Sequence, residues 1–305
     1  MPLVTSTGTE LLSLNSAGNT MTVLGYQWPD ETPPSTDWSS LFASRNLPGL
    51  EAWYVANTGH RALATRSYGN ELIDATWLAN NSGNGNVWFA DGRWVIERIS
   101  ATGLRVVANN VTIRDCLVQA GGGYHGIVAP VGEDPTGIII EHCTLDGQAA
   151  DWLGVQFPEA SAANQIIVRR CNITGFRCGI QIIGGIVAEE NWIHDLYYDA
   201  VDPHVTSISI RARNVTVRRN RLADGNSAAL AFYNETSPYT NIRAEQNIIS
   251  TNQAIWEVAY LGSYPAGANT VEFIDNLFER GALAYQAGNF SSVSGNSTIN
   301  GTPVN

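Results

Sequence analysis

Lysine is absent from this 305-residue chain: all 17 cationic residues are Arg, they face 28 acidic residues, and the formal net charge is −11. A deficit of that size argues against DNA or an anionic membrane as partner, because phosphate surfaces are held by clustered cations. The exclusive use of Arg reads most simply as codon bias in a GC-rich genome. Charge of either sign is also scarce, at 15% of residues. No run of 18 apolar residues occurs, which excludes a helical membrane span. The opening stretch MPLVTSTGTELLSLNSAGNT has neither a basic leader region nor an apolar core, so as written it is not a signal peptide. The four Cys form no C-x-x-C pair and are too few for a disulfide framework, so neither zinc nor a disulfide scaffold is expected.

What the chain does have is Gly, at 29 residues, and 44% hydrophobic residues, a balance that suits a turn-rich β protein with a sizeable core. Self-similarity fixes the architecture. A six-residue unit, apolar-x-apolar-x-x-(Cys/Asn), recurs as VTIRDC (111–116), IIIEHC (138–143), IIVRRC (166–171), IVAEEN (186–191), VTVRRN (215–220), IRAEQN (242–247) and VEFIDN (271–276). Its last positions are Cys116, Cys143, Cys171, Asn191, Asn220, Asn247 and Asn276. Alternation at period two marks a strand with one buried face, and a fixed small residue marks a turn that stacks on itself. The expected fold is all-β, a right-handed parallel β-helix of about seven to nine coils. In such a column Asn hydrogen-bonds along the stack, and Cys serves as a small hydrophobe rather than a metal ligand.

A second strand follows each turn: HGIVAP (125–130), LGVQFP (153–158), CGIQII (178–183), TSISIR (206–211), AALAFY (228–233) and AIWEVA (254–259). Aligned at period two, Ile127, Val155, Ile180, Ile208, Leu230 and Trp256 form one inward column. Val128, Gln156, Gln181, Ser209, Ala231 and Glu257 then point outward, on a face where a ligand is expected. Residues 85–110 look like an earlier, less regular coil, and SSVSGN (291–296) looks like a last one with Asn296 in the ladder position. Residues 1–50 do not fit the repeat. With a helix expected around 37–45, they suit a cap over the first coil, or a surface for attachment or oligomer contact. The division expected is 1–84 as cap or attachment segment and 85–305 as the β-helix.

From about residue 100 onward, the stretches IIIEHCTLDG, VRRCNITGFRCGIQI, ENWIHDL, NSAALAFYN, NIRAEQNII and the ending FIDNLFERGALAY…SGNSTINGTPV resemble pectate-lyase-like right-handed β-helix proteins. Members of that group occur in high-GC bacteria and as minor tail or tailspike-like proteins of their phages. The resemblance implies the fold and a polysaccharide ligand, and leaves activity open, because such helices include lyases, hydrolases, epimerases and noncatalytic fibres. Relatives commonly carry His-x-Asp-Gly-Ile-Gln at the start of the ligand-facing strand. Here that stretch is His204-Val205-Thr206-Ser207-Ile208-Ser209, so the His stays while the Asp and the Gln are replaced.

The densest polar constellation is IHDLYYDAVDPH, with His194, Asp195, Tyr197, Tyr198, Asp199, Asp202 and His204. Asp199, Asp202, His204 and Arg211 are the candidate catalytic residues. An Arg can take the proton α to a uronate carboxylate in a lyase, with Arg213 or Arg177 in support, and hydrolases need two carboxylates. Gln156, Gln181, Arg177, Tyr233 and Glu257 are the candidate substrate-binding residues, with Trp152, Tyr260 and Tyr264 as further stacking surfaces. His194 and Asp195 read rather as turn residues, Asp202-Pro203 as a turn initiator, and His125 as structural. No cofactor is expected. Calcium among Asp199, Asp202 and Asp224 has no supporting spacing.

Three functions follow. The first is a virion tail-associated β-helix that recognises, and in one version degrades, a host-surface polysaccharide, with other tail proteins and further copies of itself as partners, a trimer being favoured. The second is a secreted polysaccharide lyase or glycoside hydrolase. The third is a noncatalytic virion spacer. The corresponding locations are the virion tail or the extracellular space.

Overall fold

A computed structural model describes residues 4–5, 8–14, 21–27, 37–60, 64–158, 166–183, 185–198, 205–211, 213–223, 228–232, 240–251, 258–259, 270–279 and 290–304. The chain divides into two compact units, Met1–Asn57 and Thr58–Asn305. The first holds an antiparallel sheet of Val4–Thr5, Gly8–Leu14 and Met21–Gln27, then the helices Trp38–Ala43 and Leu47–Asn57. Asp37 caps the first helix by accepting from the Ser39 amide at 3.1 Å, which satisfies one of the amides a helix start leaves open. The buried Trp38 donates its indole N–H to the Tyr54 hydroxyl at 3.3 Å and so ties the two helices together.

The second unit is a parallel β-helix with three rows of strands. The repeat segments make the first row, which runs through nine parallel strands from Arg93–Glu97 to Ser292–Ser294; at its start the antiparallel strand Val87–Ala90 pairs with Arg93–Glu97. The irregular coil before Cys116 and the last coil with Asn296 both take their expected places. The segments just after the ladder residues make the second row, from Arg66–Ser67 to Ser297–Thr298. The third row runs from Asn70–Ile73 through Ile127–Val128 and Thr206–Ile210 to Val258–Ala259. In two coils the second and third rows fuse into single long strands, Thr144–Phe157 and Asn172–Ile182. Inward side chains of all three rows meet in one core, with Phe157, Phe176, Phe232, Phe273 and Phe278 among its largest members. The helix Ala75–Asn81 places Leu78 in that core and so helps close the first coil.

The ladder is built as its composition requires. Asn191, Asn220, Asn247 and Asn276 are fully buried. Each Oδ1 accepts from the backbone amide of the preceding ladder residue, and each Nδ2 donates to the carbonyl of the third repeat position one coil back, as from Asn220 to Ala188 and from Asn247 to Val217 at 2.9 Å. The Cys residues point their thiols at the same carbonyls, Cys143 at Ile113 and Cys171 at Ile140, over 3.6 and 3.8 Å. Thiol and amide are thus interchangeable donors at one corner, with the amide much the stronger.

The residue before each ladder position lies in the left-handed region in every coil: Asp115, His142, Arg170, Glu190, Arg219, Gln246 and Asp275 have φ between 52° and 56°. This conformation turns the chain by one corner. Since it costs a non-Gly residue roughly 1–2 kcal/mol, it is held by the pairing on either side. Another tight place is filled by Gly126, Gly154 and Gly179. A Cβ on Gly154 would sit 2.5 Å from the Gly179 carbonyl oxygen of the next coil, so the third row begins with residues that have none.

Two features differ from, or add to, the sequence expectations. Leu230 pairs with Val258, so the inward column is continued by Val258 where Trp256 was expected, and Ala231 pairs with Ala259 where Glu257 was expected. A slip of two residues keeps every side chain on its own face, so alternation alone does not detect it. Across the outer side of the first row, the fourth repeat position reads Glu97, Arg114, Glu141, Arg169, Glu189, Arg218 and Glu245 in register. Opposite charges alternate on every rung, with ion pairs Arg114–Glu97 at 2.8 Å and Arg218–Glu189 at 2.6 Å. Directly opposed unlike charges favour this register over its neighbours.

Candidate functional site

Of the residues expected to carry chemistry, Asp199, Asp202, His204, Tyr233, Glu257, Asp224, Tyr260 and Tyr264 lie outside the described residues, as does the side chain of Trp152. Arg211, Arg177, Gln156 and Gln181 are placed. Gln156 and Gln181 are opposed across the third row and joined by a hydrogen bond from Gln156 Nε2 to Gln181 Oε1. Arg211 closes the strand Thr206–Ile210, where its amide donates to the Ile182 carbonyl at 2.7 Å, and its side chain is exposed. Burial pushes the Cys178 thiol up to about 12, against the pull of Arg211 and then of Arg177. Both guanidinium groups therefore lie within electrostatic reach of one thiol. Arg177 lies on the strand Asn172–Ile182 that carries Gln181, and Arg211 follows the neighbouring strand Thr206–Ile210.

The outer face of the third row, expected to be open to a ligand, is closed over much of its length. Gln181, Ser209 and Ala231 are exposed by only 8, 3 and 0%, while Gln156 keeps partial access. These side chains do point away from the core, as their alternation implies. Facing outward and meeting solvent are separate properties, and a strand pattern encodes only the first.

An accessible polar face lies instead on the second row. Gln119, Asp146, Thr174 and His194 are in register on successive coils, three residues after their ladder residues, and beside them, one residue after, stand Thr144, Asn172 and Trp192. Asp146, Thr174, His194, Asn172 and Trp192 are all partly accessible, and Gln119 is exposed. The His194 ring stacks on Trp192 with centroids 3.9 Å apart. Its Nδ1 lies 2.7 Å from Asp195 Oδ2 and its Nε2 lies 2.8 Å from Asn172 Oδ1. With both nitrogens engaged, His194 is a positioned ring rather than a ready base, and it steadies the indole beside it. Asp195, with φ of 46°, is a turn residue as expected, whereas His194 ends the strand Trp192–His194.

The signal for this face was present in the sequence. The two outward places that follow each ladder residue read Leu117 and Gln119, Thr144 and Asp146, Asn172 and Thr174, then Trp192 and His194. Only Leu117 among them is aliphatic, and the fourth pair brings in the indole of Trp192. The segment Gly59-His60 runs against the same region: Gly59 N donates to the Arg170 carbonyl at 2.9 Å, His60 N donates to Thr144 Oγ1 at 3.1 Å, and His60 Nδ1 lies 3.2 Å from the Asp115 carbonyl. Among the described residues no three His, Cys, Asp or Glu side chains group to hold a metal ion. No described helix is long and apolar enough to cross a membrane.

Residues 96–302 match a family described as right handed beta helix region. No curated protein matches the chain.

Proposed function

We propose, from the premise that the chain belongs to the right-handed β-helix family, that it is a polysaccharide-recognising β-helix whose binding face is the outer side of the second row. The observation that carries this reading is the in-register set Asp146, Thr174 and His194 with Trp192 beside it. Strands of a parallel stack advance by about 4.8 Å per coil, a step on the scale of one sugar ring, so successive coils offer like groups to successive rings of an extended glycan. Carboxylate, amide and hydroxyl groups suit sugar hydroxyls, and a partly exposed indole suits the apolar face of a pyranose. The setting that fits is a phage virion tail, where the first unit, with an architecture of its own, serves attachment and the β-helix meets the host-surface polysaccharide.

A second reading is favoured by the pair Arg177 and Arg211. Two cations near one strand suit a uronate carboxylate, and with Asp199, Asp202 and His204 they constitute the site of a secreted lyase or hydrolase. Binding and product release by a panel of capsule, arabinogalactan and pectin polysaccharides tests both. Recognition through the second row predicts that Trp192→Ala weakens binding by about two- to tenfold, in line with the roughly 0.5–1.5 kcal/mol of an aromatic contact. Unchanged binding in Trp192→Ala with Asp146→Ala would overturn the proposed face. Product release that is lost in Asp202→Ala with His204→Ala would establish the second reading.

A further inference from the structure

We infer that the outer side of the first row is a contact surface for a second copy of this chain, laid antiparallel against the first. Charge distribution is the starting observation. The outer positions of the first row and the corners that follow them carry eight Arg and eight acidic residues, which leaves nine Arg against twenty acidic residues in the rest of the chain. This face is neutral, and the whole of the −11 resides elsewhere. Two copies of so acidic a protein repel at most orientations, and here they do not.

Order within the column adds complementarity. From Glu97 to Glu245 the sign changes at every rung. A twofold axis across the stack, set between two adjacent rungs near Arg169, therefore places every Glu of one copy opposite an Arg of the other over the central rungs. In one such register Arg169 faces Glu189 and Glu141 faces Arg218; in the other, one rung away, Glu141 faces Arg169. Such a contact is isologous, the same patch serving both copies, and it closes at two chains rather than three.

Beside the charges runs an apolar strip. Val95, Ile139, Ile167 and Val187 occupy the second repeat position on their strands, with Thr112 between the first two, and all four are partly accessible. Apolar residues at outward positions are what a sheet shows where another surface covers it. Ile167 stands at the middle of the strip, next to the axis in either register.

Light scattering on the full chain, with site-directed cross-linking, tests the inference. The wild type is expected to show the mass of a dimer that dissociates on dilution. Under mild oxidation Ile167→Cys should form a covalent dimer while Ser292→Cys, at the far end of the row, should not; the native thiols are all buried. Ile167→Arg should leave a monomer with unchanged circular dichroism. A monomer at every concentration would overturn the inference. So would a dimer that survives Ile167→Arg, or one that cross-links at position 292 in preference to 167.

Discussion

Asn220 Oδ1 accepts two hydrogen bonds from Asn191, one from its backbone amide at 3.0 Å and one from its side-chain Nδ2 at 2.9 Å. The same amide group donates onward to Ala188, Arg218 and Asn247, so one buried side chain links consecutive coils through both of its ends.

Asn220→Ala should therefore be among the most destabilising single changes. It removes the partners of a buried amide and a buried carbonyl as well as a side chain, and each stranded group costs about 1–3 kcal/mol. A loss on the order of 3 kcal/mol is expected, read as a lower urea midpoint. Cys143→Ala, which removes only a weak donor at the same corner, should cost less. Equal losses would mean that the ladder acts by size alone.

Glu97 is fully buried between Arg98 at 2.6 Å and Arg114 at 2.8 Å. Its removal takes a fully buried carboxylate from between two guanidinium groups that are only partly exposed, at 14 and 21%, so the pair is stronger than a surface one. Glu97→Ala should accordingly lower the thermal midpoint more than Glu272→Ala, whose partner Arg243 is nearly half exposed and whose pair belongs to the weak surface class.

Gly154→Ala should destabilise the third row, because the new methyl meets the Gly179 carbonyl oxygen at 2.5 Å. Overpacking of this kind costs typically about 1–3 kcal/mol. Gly83→Ala, with nothing within 4 Å of its Cβ but a φ of +81°, separates the two possible causes, strain and space. A larger loss at Gly83 would show that close approach is not what the third row requires.

Burial holds the His60 and His125 imidazoles below the usual histidine value; at His60 the Asp115 carbonyl opposes it in part. The folded state thus resists protonation that the unfolded state accepts. As pH falls through the unfolded value of about 6.5 toward the lowered folded one, stability should decline, and above that window it should be flat. Urea midpoints at pH 7.5 and 5.5 measure the slope. The double change His60→Gln with His125→Gln should flatten it, and an undiminished slope would place its origin in other groups.

The four thiols are buried, and burial pushes Cys116, Cys143 and Cys178 up, Cys178 to about 12. Since the thiolate is the reactive form, native protein at pH 8 should not react with Ellman's reagent, and all four thiols should react in guanidinium chloride. Prompt reaction of any thiol in the native state would contradict the burial of the ladder corner and of Cys178.

The parts of this fold legible in the sequence are those that repeat. Cys116 to Asn276 mark one corner seven times, and a strand with one buried face declares itself by alternation, so the first row could be read directly, with a less regular coil at 85–110 before it and Asn296 after it. The two-residue slip between Trp256 and Val258 was invisible, because it preserves the facing of both. The closure of Gln181 and Ser209 was invisible for a different reason: alternation tells which way a side chain points, whereas accessibility depends on what else approaches it. The alternating Glu and Arg column is written only across the aligned repeats, because the fourth position reads simply as polar within any one copy. Trp192 and His194 belonged to the same class of signal, meaningful as neighbours across coils rather than as neighbours in the chain.

The left-handed corner before each ladder residue separates what is constant in a coil from what is not. The path from the first row through the corner into the second is a fixed number of residues in every copy, while successive ladder residues are 27, 28, 20, 29, 27 and 29 apart. All of that variation falls beyond the second row. Each coil is thus a socket of constant fit with an insert of free length, so a segment from another protein should be graftable between the end of the third row and the next repeat strand without retuning the rest.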